Sequence, residues 1–393
     1  MITVEEALRL VLERPFHPTV RTASLSDALG YILAEDVAAD RDFPPFDRVT
    51  MDGIALSYAS WSGGQRTFPL AGLVAAGSPR VALTHPATAL EVMTGAVLPS
   101  NTDTVVRYED LEVRDGQATV RAADLIKGQS IHRRGSDARR GDILLRRGTI
   151  ISPAEIALLA SVGKVNVSVY APPSAIVVST GDELVALDAE PLEHQVRRSN
   201  AAAIQAAMMY TRWKADTVHL PDNEDVLHGA VSELLQNNDV LIFSGGVSKG
   251  KFDFIPLVLL KCGFGQVFHE VRQRPGKPMW FGTRPDGKFA FALPGNPVST
   301  FMCYHQYVRS WFWSSLGVPV RKQLVPLASD FNFEPRLTHF LQVRLEDGKA
   351  TPIPGGGSGD FVNLQAVDGF LELPAEKSAF RAGEAFPFLS FRQ

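Results

Sequence analysis

Two neighbouring carboxylates, Asp182 and Glu183, follow the short apolar run Ala175–Val178 in the segment Ser179-Thr180-Gly181-Asp182-Glu183. Paired carboxylates at a strand end have the chemistry to bind a divalent cation or to position a nucleophile; the plainer reading is that one of them caps the next element. A second segment, Ser244-Gly245-Gly246-Val247-Ser248-Lys249-Gly250-Lys251, places two glycines after a buried run, where backbone N–H groups can approach an anion and two lysines add charge. Its spacing is not that of a Walker loop. Asp253 follows, where it either caps a helix or faces a metal. In Arg274-Pro275-Gly276-Lys277-Pro278, two prolines stiffen the chain and hold Lys277 on a fixed turn, which points to an anionic ligand; the plainer reading is a surface turn. In Leu293-Pro294-Gly295-Asn296-Pro297-Val298-Ser299, a strand end runs into a helix with Pro297 in the first helical position and Asn296 as cap, and a helix start favours phosphate or oxyanions.

Together these segments supply carboxylates, amide donors and a few cations, which suits a phosphate-bearing ligand held beside a divalent metal and an oxyanion. The parts of a hydrolase triad are missing, since neither Asp182 nor Ser248 has a histidine in an evident motif. His132, His219 and His305 are scattered and read as structural or solvated.

The elements that must position these segments alternate. Strands are expected at Ala175–Ser179, Asp216–Leu220, Asp239–Ser244, Gln266–Val271 and Lys288–Leu293. Helices are expected at Ala201–Tyr210, after Asn223, at Phe252–Cys262 and from Pro297 to about Ser315. Such alternation implies a mostly parallel sheet covered by helices, whose ligands lie beyond the carboxyl ends of the strands. Residues 1–40 read as two helical pieces, the first capped by Thr3 and the second starting near Ser24 with Asp27 three residues on. Residues 41–150 are β-rich, and a helix returns at 152–163 with Ser152 as cap, Pro153 first, Glu155 completing the capping box and Gly163 at its end. Alternating runs from about residue 318 read as a small β domain. The fold class is therefore multidomain α/β plus β. The expected division is 1–45 with 146–171, an inserted β-rich domain at 46–145, an α/β domain at 172–317 and a C-terminal β domain at 318–393.

With 39 basic and 43 acidic residues there is no basic stripe of the kind nucleic-acid binders carry, and no apolar run reaches the length of a membrane span. Neither nucleic acid nor membrane is an expected partner. The two cysteines, Cys262 and Cys303, lie in apolar stretches and read as buried thiols, without zinc spacing. The amino terminus has an amphipathic helical pattern instead of a signal peptide, and the cytoplasm is the expected compartment.

An ordered set of motifs resembles the MoeA family of molybdopterin molybdenumtransferases. Phe46-Asp47-Arg48-Val49-Thr50-Met51-Asp52-Gly53-Ile54-Ala55 is similar to FDxSxMDGYA. Thr94-Gly95-Ala96-Val97-Leu98-Pro99 with Asp103-Thr104-Val105-Val106 is similar to TGAxLPxGADxVV. The Gly135-Ser136-Asp137 and Gly141-Asp142 block and the four segments above follow in order. The resemblance implies two interleaved N-terminal domains, an α/β domain and a C-terminal β domain, in a homodimer whose cleft is shared between subunits. It implies Mg²⁺-dependent transfer in which adenylylated molybdopterin and molybdate enter, and molybdenum cofactor and AMP leave. Partners would be a molybdopterin adenylyltransferase and molybdopterin-bearing proteins. By the same resemblance Asp52 and Thr94 form the cross-subunit wall, while Asp182, Glu183 and Asp253 place metal and molybdate. Lys277 joins them as a catalytic cation. The pterin phosphate falls to Ser179, Thr180, Gly181, Ser244, Gly245, Gly246, Ser248, Pro275, Gly276, Pro294, Gly295, Asn296 and Ser299, with Ser358 reaching in from Gly355-Gly356-Gly357-Ser358-Gly359.

The chain departs from the family pattern at Arg198, where an acidic residue is usual, and at Lys251, Glu270 and Gln342; Arg274 stands for a lysine and keeps its charge. These changes redistribute charge in the cleft. They motivate the alternative of a molybdopterin-binding or scaffolding relative without turnover.

Overall fold

The computed structural model describes residues 1–248 and 253–392. The chain forms two compact units, one of residues 1–34, 148–152 and 166–393, the other of residues 35–147 and 153–165.

The first unit is built on a six-stranded sheet in the order Asp216–Leu220, Ala175–Thr180, Val240–Ser244, Phe289–Leu293, Trp280–Thr283, Gly265–His269. The first four strands are parallel and the last two are added antiparallel, so the sheet is mixed. Alternate residues along each strand face opposite sides. Val177, Val240, Ile242, Phe289 and Phe291 pack with Ile204 and Met208 of helix Ser199–Tyr210 and with the helices that follow Pro297. On the other side Ile176, Val178, Leu241, Phe243 and Ala290 pack with Leu227, Val231 and Leu235 of helix Glu224–Asn237 and with helix Ile255–Lys261. Burial on both faces explains why the central strands Ala175–Thr180, Val240–Ser244 and Phe289–Leu293 are largely apolar, whereas the edge strands Asp216–Leu220 and Gly265–His269 are not. Trp280–Thr283 was not expected as a strand: Trp-Phe-Gly-Thr is short, lacks alternation and earns its place by pairing with Phe289–Leu293.

The amino-terminal helix Val4–Leu12 starts at Thr3, whose hydroxyl accepts the Glu6 N–H at 3.1 Å, and buries Val4, Ala7 and Val11 in the core of this same unit. The helix expected from Ser24 does not form. Thr19–Ser24 is a strand paired antiparallel with Asn166–Ala171, and the Ser24 hydroxyl with the Asp27 carboxylate closes a turn behind it. Ser and Asp satisfy helix starts and turns by the same hydrogen bond, and here the turn wins.

A second sheet of the unit runs Gln273–Arg274, Thr338–Glu346, Gly369–Leu373, Ala385–Ser390, Gln323–Pro326. Its edge strand comes from the long α/β segment: Gln273 pairs with Thr338 and Arg274 with His339, in parallel. The turn carrying Lys277 is thereby stitched to the C-terminal sheet. The helix expected from Pro297 runs Pro297–Cys303, passes through a π-helical turn Tyr304–Val308 and continues as Arg309–Ser315.

In the other unit a six-stranded sheet runs Thr104–Arg107, Gly53–Leu56, Ala89–Val92, Thr67–Val74, Gln117–Val120, Leu111–Arg114. Helix Pro153–Ser161 begins on Pro153, and Gly163 ends it in a left-handed conformation at φ 75°. Among the described residues no helix is long and apolar enough to cross a membrane.

Candidate active site

All four segments line one cleft of the first unit, about 1450 Å³ in volume; three follow parallel strands, while the Arg274–Pro278 turn follows the antiparallel edge strand Gly265–His269. That exceeds the usual range for a single small ligand, so the space suits an extended ligand or several at once. Of the candidate residues, Ser179, Thr180, Gly181, Glu183, Ser244, Gly245, Gly246, Ser248, Asp253, Pro275, Gly276, Lys277, Pro294, Gly295, Asn296, Ser299 and Ser358 line it. Asp182 stands behind the lining, where its carboxylate accepts the Asp222 N–H at 3.2 Å. Asp52 and Thr94 belong to the other unit and meet each other there. The Asp52 carboxylate accepts the Thr94 N–H at 2.6 Å, and that bond, with one from the Thr94 side chain, holds its pKa below the usual carboxylate value. Lys249, Gly250, Lys251 and Phe252 lie outside the described residues.

The glycine pair does more than leave room for an anion. A Cβ on Gly245, at φ 102°, would sit 2.8 Å from the Thr180 carbonyl oxygen, so this loop packs directly against its neighbour, and the Gly245 N–H already donates to Leu293 O at 3.1 Å. Asn296 is at the helix start, as expected, but its side chain caps nothing. Its amide donates to the Ser358 hydroxyl at 2.9 Å, while the Val298 N–H donates to Ser358 O at 3.0 Å, which pins the C-terminal glycine-rich loop onto this helix end. Asp253 is not a helix cap either, because helix Ile255–Lys261 takes Phe254 in that place.

The Lys277 turn is held from beneath. The Gln273 amide donates to Gly276 O at 2.8 Å and to Cys303 Sγ at 3.3 Å, and its oxygen accepts from the Tyr307 hydroxyl. Cys303 is a fully buried thiol whose pKa burial pushes far up, so it serves packing. Glu270 brings its carboxylate to 4.0 Å from the half-exposed Lys277 ammonium, a loose ion pair that leaves the cation available to an anion.

Two residues to which the motifs assigned no role are central to the cleft. Asp222, on the turn after Asp216–Leu220, has its carboxyl pKa raised, first by burial and then by the charges of Asp182, Glu183 and Asp253. Asn200, at the start of helix Ser199–Tyr210, reaches Gly295 O at 2.7 Å, Ser244 Oγ at 3.0 Å and Thr300 Oγ1 at 3.2 Å, bridging two of the ligand loops. Asp222 sat in a Pro-Asp-Asn turn that reads as a plain connection. Its signal was a third carboxylate at a parallel strand end. Among the described residues, three polar atoms on the cleft wall are shut from solvent without a hydrogen-bond partner: Thr180 Oγ1, Asn200 Oδ1 and Asp222 Oδ1. Buried polar atoms left unpaired are costly, and three of them lie on this wall. In this arrangement no three His, Cys, Asp or Glu side chains among the described residues stand close enough to chelate an ion by themselves.

On the side of the cleft formed by the C-terminal sheet, His339 of strand Thr338–Glu346 has its pKa pushed down to about 4, chiefly by burial; its ring donates to Arg274 O at 3.2 Å, which opposes the shift, and the Arg274 charge adds to it. The folded protein therefore keeps this ring neutral, while the unfolded chain takes up a proton near pH 6.5. Stability from this group is full above about pH 6.5 and drains away as pH falls toward 4. Replacement by glutamine should flatten the loss between pH 7.5 and 5 by roughly 1–2 kcal/mol, read from urea midpoints. Equal losses in parent and variant would show that His339 carries none of it.

Family models match the chain almost end to end. One described as the MoeA N-terminal region (domain I and II) covers residues 2–163, a "probable molybdopterin binding domain" covers 176–312, and the MoeA C-terminal region (domain IV) covers 325–391. The molybdopterin molybdenumtransferase of a Synechocystis strain is 38% identical over 399 residues, covering 100% of both chains, and that of Bacillus subtilis is 30% identical over 411, covering 100% of this chain and 94% of the relative. A solved structure of the MoeA molybdopterin biosynthesis protein of Pyrococcus horikoshii superposes with a TM-score of 0.85 at 25% identity, covering 99% of each chain. With its motifs in order, its strand-end loops in one cleft and these relatives matching its full length, the chain belongs to the MoeA family.

Proposed function

We propose that the chain is a molybdopterin molybdenumtransferase, which takes adenylylated molybdopterin and molybdate and releases molybdenum cofactor and AMP. The observation that carries this reading is the joining, in one cleft, of carboxylates (Glu183, Asp222, Asp253), a cation on a stiff turn (Lys277) and the glycine-bearing loops at Ser244–Gly246 and Pro294–Asn296. The molybdenum-binding sulfurs belong to the substrate, so the protein's task is orientation and charge. Asn200 holds the 244 and 294 loops at fixed spacing, Lys277 and Arg274 offset anionic charge, and Asp182 fixes the Asp222 turn from behind.

The residues present fit Mg²⁺. This small, hard ion keeps several waters and takes one or two carboxylates plus substrate phosphates, so it needs no protein cage of three ligands. Glu183 and Asp253, which line the cleft, would hold it, with Asp182 and Asp222 adding negative charge behind and beside them. Bound there, it supplies positive charge beside phosphate and oxyanion. Asp52 and Thr94 are proposed to complete the cleft from the partner in a homodimer. The domain division 1–45 with 146–171, 46–145, 172–317 and 318–393, a cytoplasmic location, and exchange with a molybdopterin adenylyltransferase and molybdopterin-bearing proteins belong to the same proposal.

The test is AMP release by the pure protein from adenylylated molybdopterin, Mg²⁺ and molybdate. Glu183→Gln and Asp253→Asn each remove a charge at a cleft position outside the core, so activity should fall on the order of 100-fold with the fold retained. Parent-like yields from both variants would remove these residues from the mechanism. Tight pterin binding without molybdate-dependent AMP release in the parent would instead favour the scaffolding reading.

A further inference from the structure

The C-terminal wall of the cleft carries a group of flat side chains. Phe333 and His339 lie with ring centroids 4.1 Å apart and planes within 10°, and Phe331 and His339 with centroids 5.7 Å apart and planes within 6°. The Arg274 guanidinium stands over the Phe333 ring, 5.8 Å from its centre. All four residues line the cleft. The parallel pairing of Arg274 with His339 fixes the cation and the imidazole side by side, so the plate is built by backbone register and not by chance contact of mobile side chains.

A cluster made only for packing would point into the core. Phe331 and Phe333 instead rest half-buried on the rim of the C-terminal cluster formed by Val325, Leu341, Leu371 and Phe386. Near-parallel rings offer little to an aliphatic or purely ionic ligand, whereas a flat π-system gains from stacking with them and with the planar cation that already stands over Phe333. Lys277 follows Arg274 by three residues, at most about 11 Å of backbone. A ring resting on the plate can therefore carry a phosphate that Lys277 meets.

We propose that Phe331, Phe333, His339 and Arg274 form a stacking subsite for a planar heteroaromatic ring that bears a phosphate. This rests on the transferase reading, in which the ligand has two such rings, the purine of its adenylyl group and the pterin, and it assigns one of them to the C-terminal wall. Stacking is insensitive to which flat ring is offered, so the chemistry is common to both and the experiment separates them.

The test titrates the full-length protein with AMP, with ribose 5-phosphate and with a soluble 6-carboxypterin, for the parent, Phe333→Leu and Phe333→Ala. Leucine keeps most of the bulk and removes the π-face, so it guards against a folding defect, checked by an unchanged melting temperature. Removal of the face should weaken one ring ligand about tenfold and leave ribose 5-phosphate within twofold. Selective loss of AMP affinity places the purine on the plate, and selective loss of pterin affinity places the pterin there; either result upholds the subsite. Unchanged affinity for both rings, an equal loss for ribose 5-phosphate, or no ring binding by the parent overturns it. A parent that turns over without ring discrimination sinks the subsite alone. One that discriminates rings at Phe333 but releases no AMP with molybdate sinks the transferase reading alone.

Discussion

Alanine at position 276 is expected to lower stability by about 3 kcal/mol and to weaken phosphate binding in the cleft about tenfold. Gly276 has φ 86°, where a side chain is strained whatever the space around it. The space is also missing: a Cβ would lie 2.5 Å from Cys303 Sγ, 2.9 Å from Gln273 Nε2 and 3.1 Å from Met302 Cε, all in packed interior. Relief can come only if the turn lifts away from Gln273, and Lys277 moves with it. Because the contact with Cys303 is the tightest, Cys303→Ala should recover part of the loss when combined with Gly276→Ala, with a coupling of about 1 kcal/mol in the double-mutant cycle. The backbone part should persist. Additive effects in urea unfolding, or a Gly276→Ala protein as stable as the parent, would mean that the turn is not held from beneath as described.

Asn200 should produce the second large effect, and on activity more than on folding. Its amide has two hydrogens for three neighbouring acceptors, with Gly295 O the nearest at 2.7 Å. Asn200→Ala cuts the tie between the Ser244 and Gly295 loops, at a stability cost of about 1–3 kcal/mol. AMP release should drop on the order of 100-fold, as small misplacements of positioning groups do. Asn200→Asp is the sharper variant. It is the same size, yet it sets a carboxylate against the Gly295 carbonyl oxygen, so it should be worse than alanine. An aspartate variant with parent-like turnover would exclude the bridge as a positioning device.

Much of this was legible in the residues because the physics was local. Val177, Ile242 and their neighbours form unbroken apolar runs, as strands buried on both faces must, and the glycine and proline punctuation after them marks the loops. What escaped depended on partners distant in sequence. Trp280–Thr283 becomes a strand only beside Phe289–Leu293. Ser24 and Asp27 carry a helix-start signature but close a turn because Thr19–Ser24 is committed to pairing with Asn166–Ala171. Asp222 and Asn200 look like an ordinary turn residue and an ordinary helix-flanking residue until the sheet brings their ends together. The side chain of Asn296 was assigned to its own helix start, yet its true partner, Ser358, is 62 residues away.

The pairing of Gln273–Arg274 with Thr338–His339 has a consequence for how such a chain can be rearranged. The last sheet cannot be treated as a cassette to be swapped or trimmed, because its outermost strand is donated by the preceding fold. A truncation at the apparent linker near residue 318 would strip Arg274 of its β-partner and leave a raw β-edge open to self-association. Recombination between relatives should therefore preserve both halves of this seam or exchange them together.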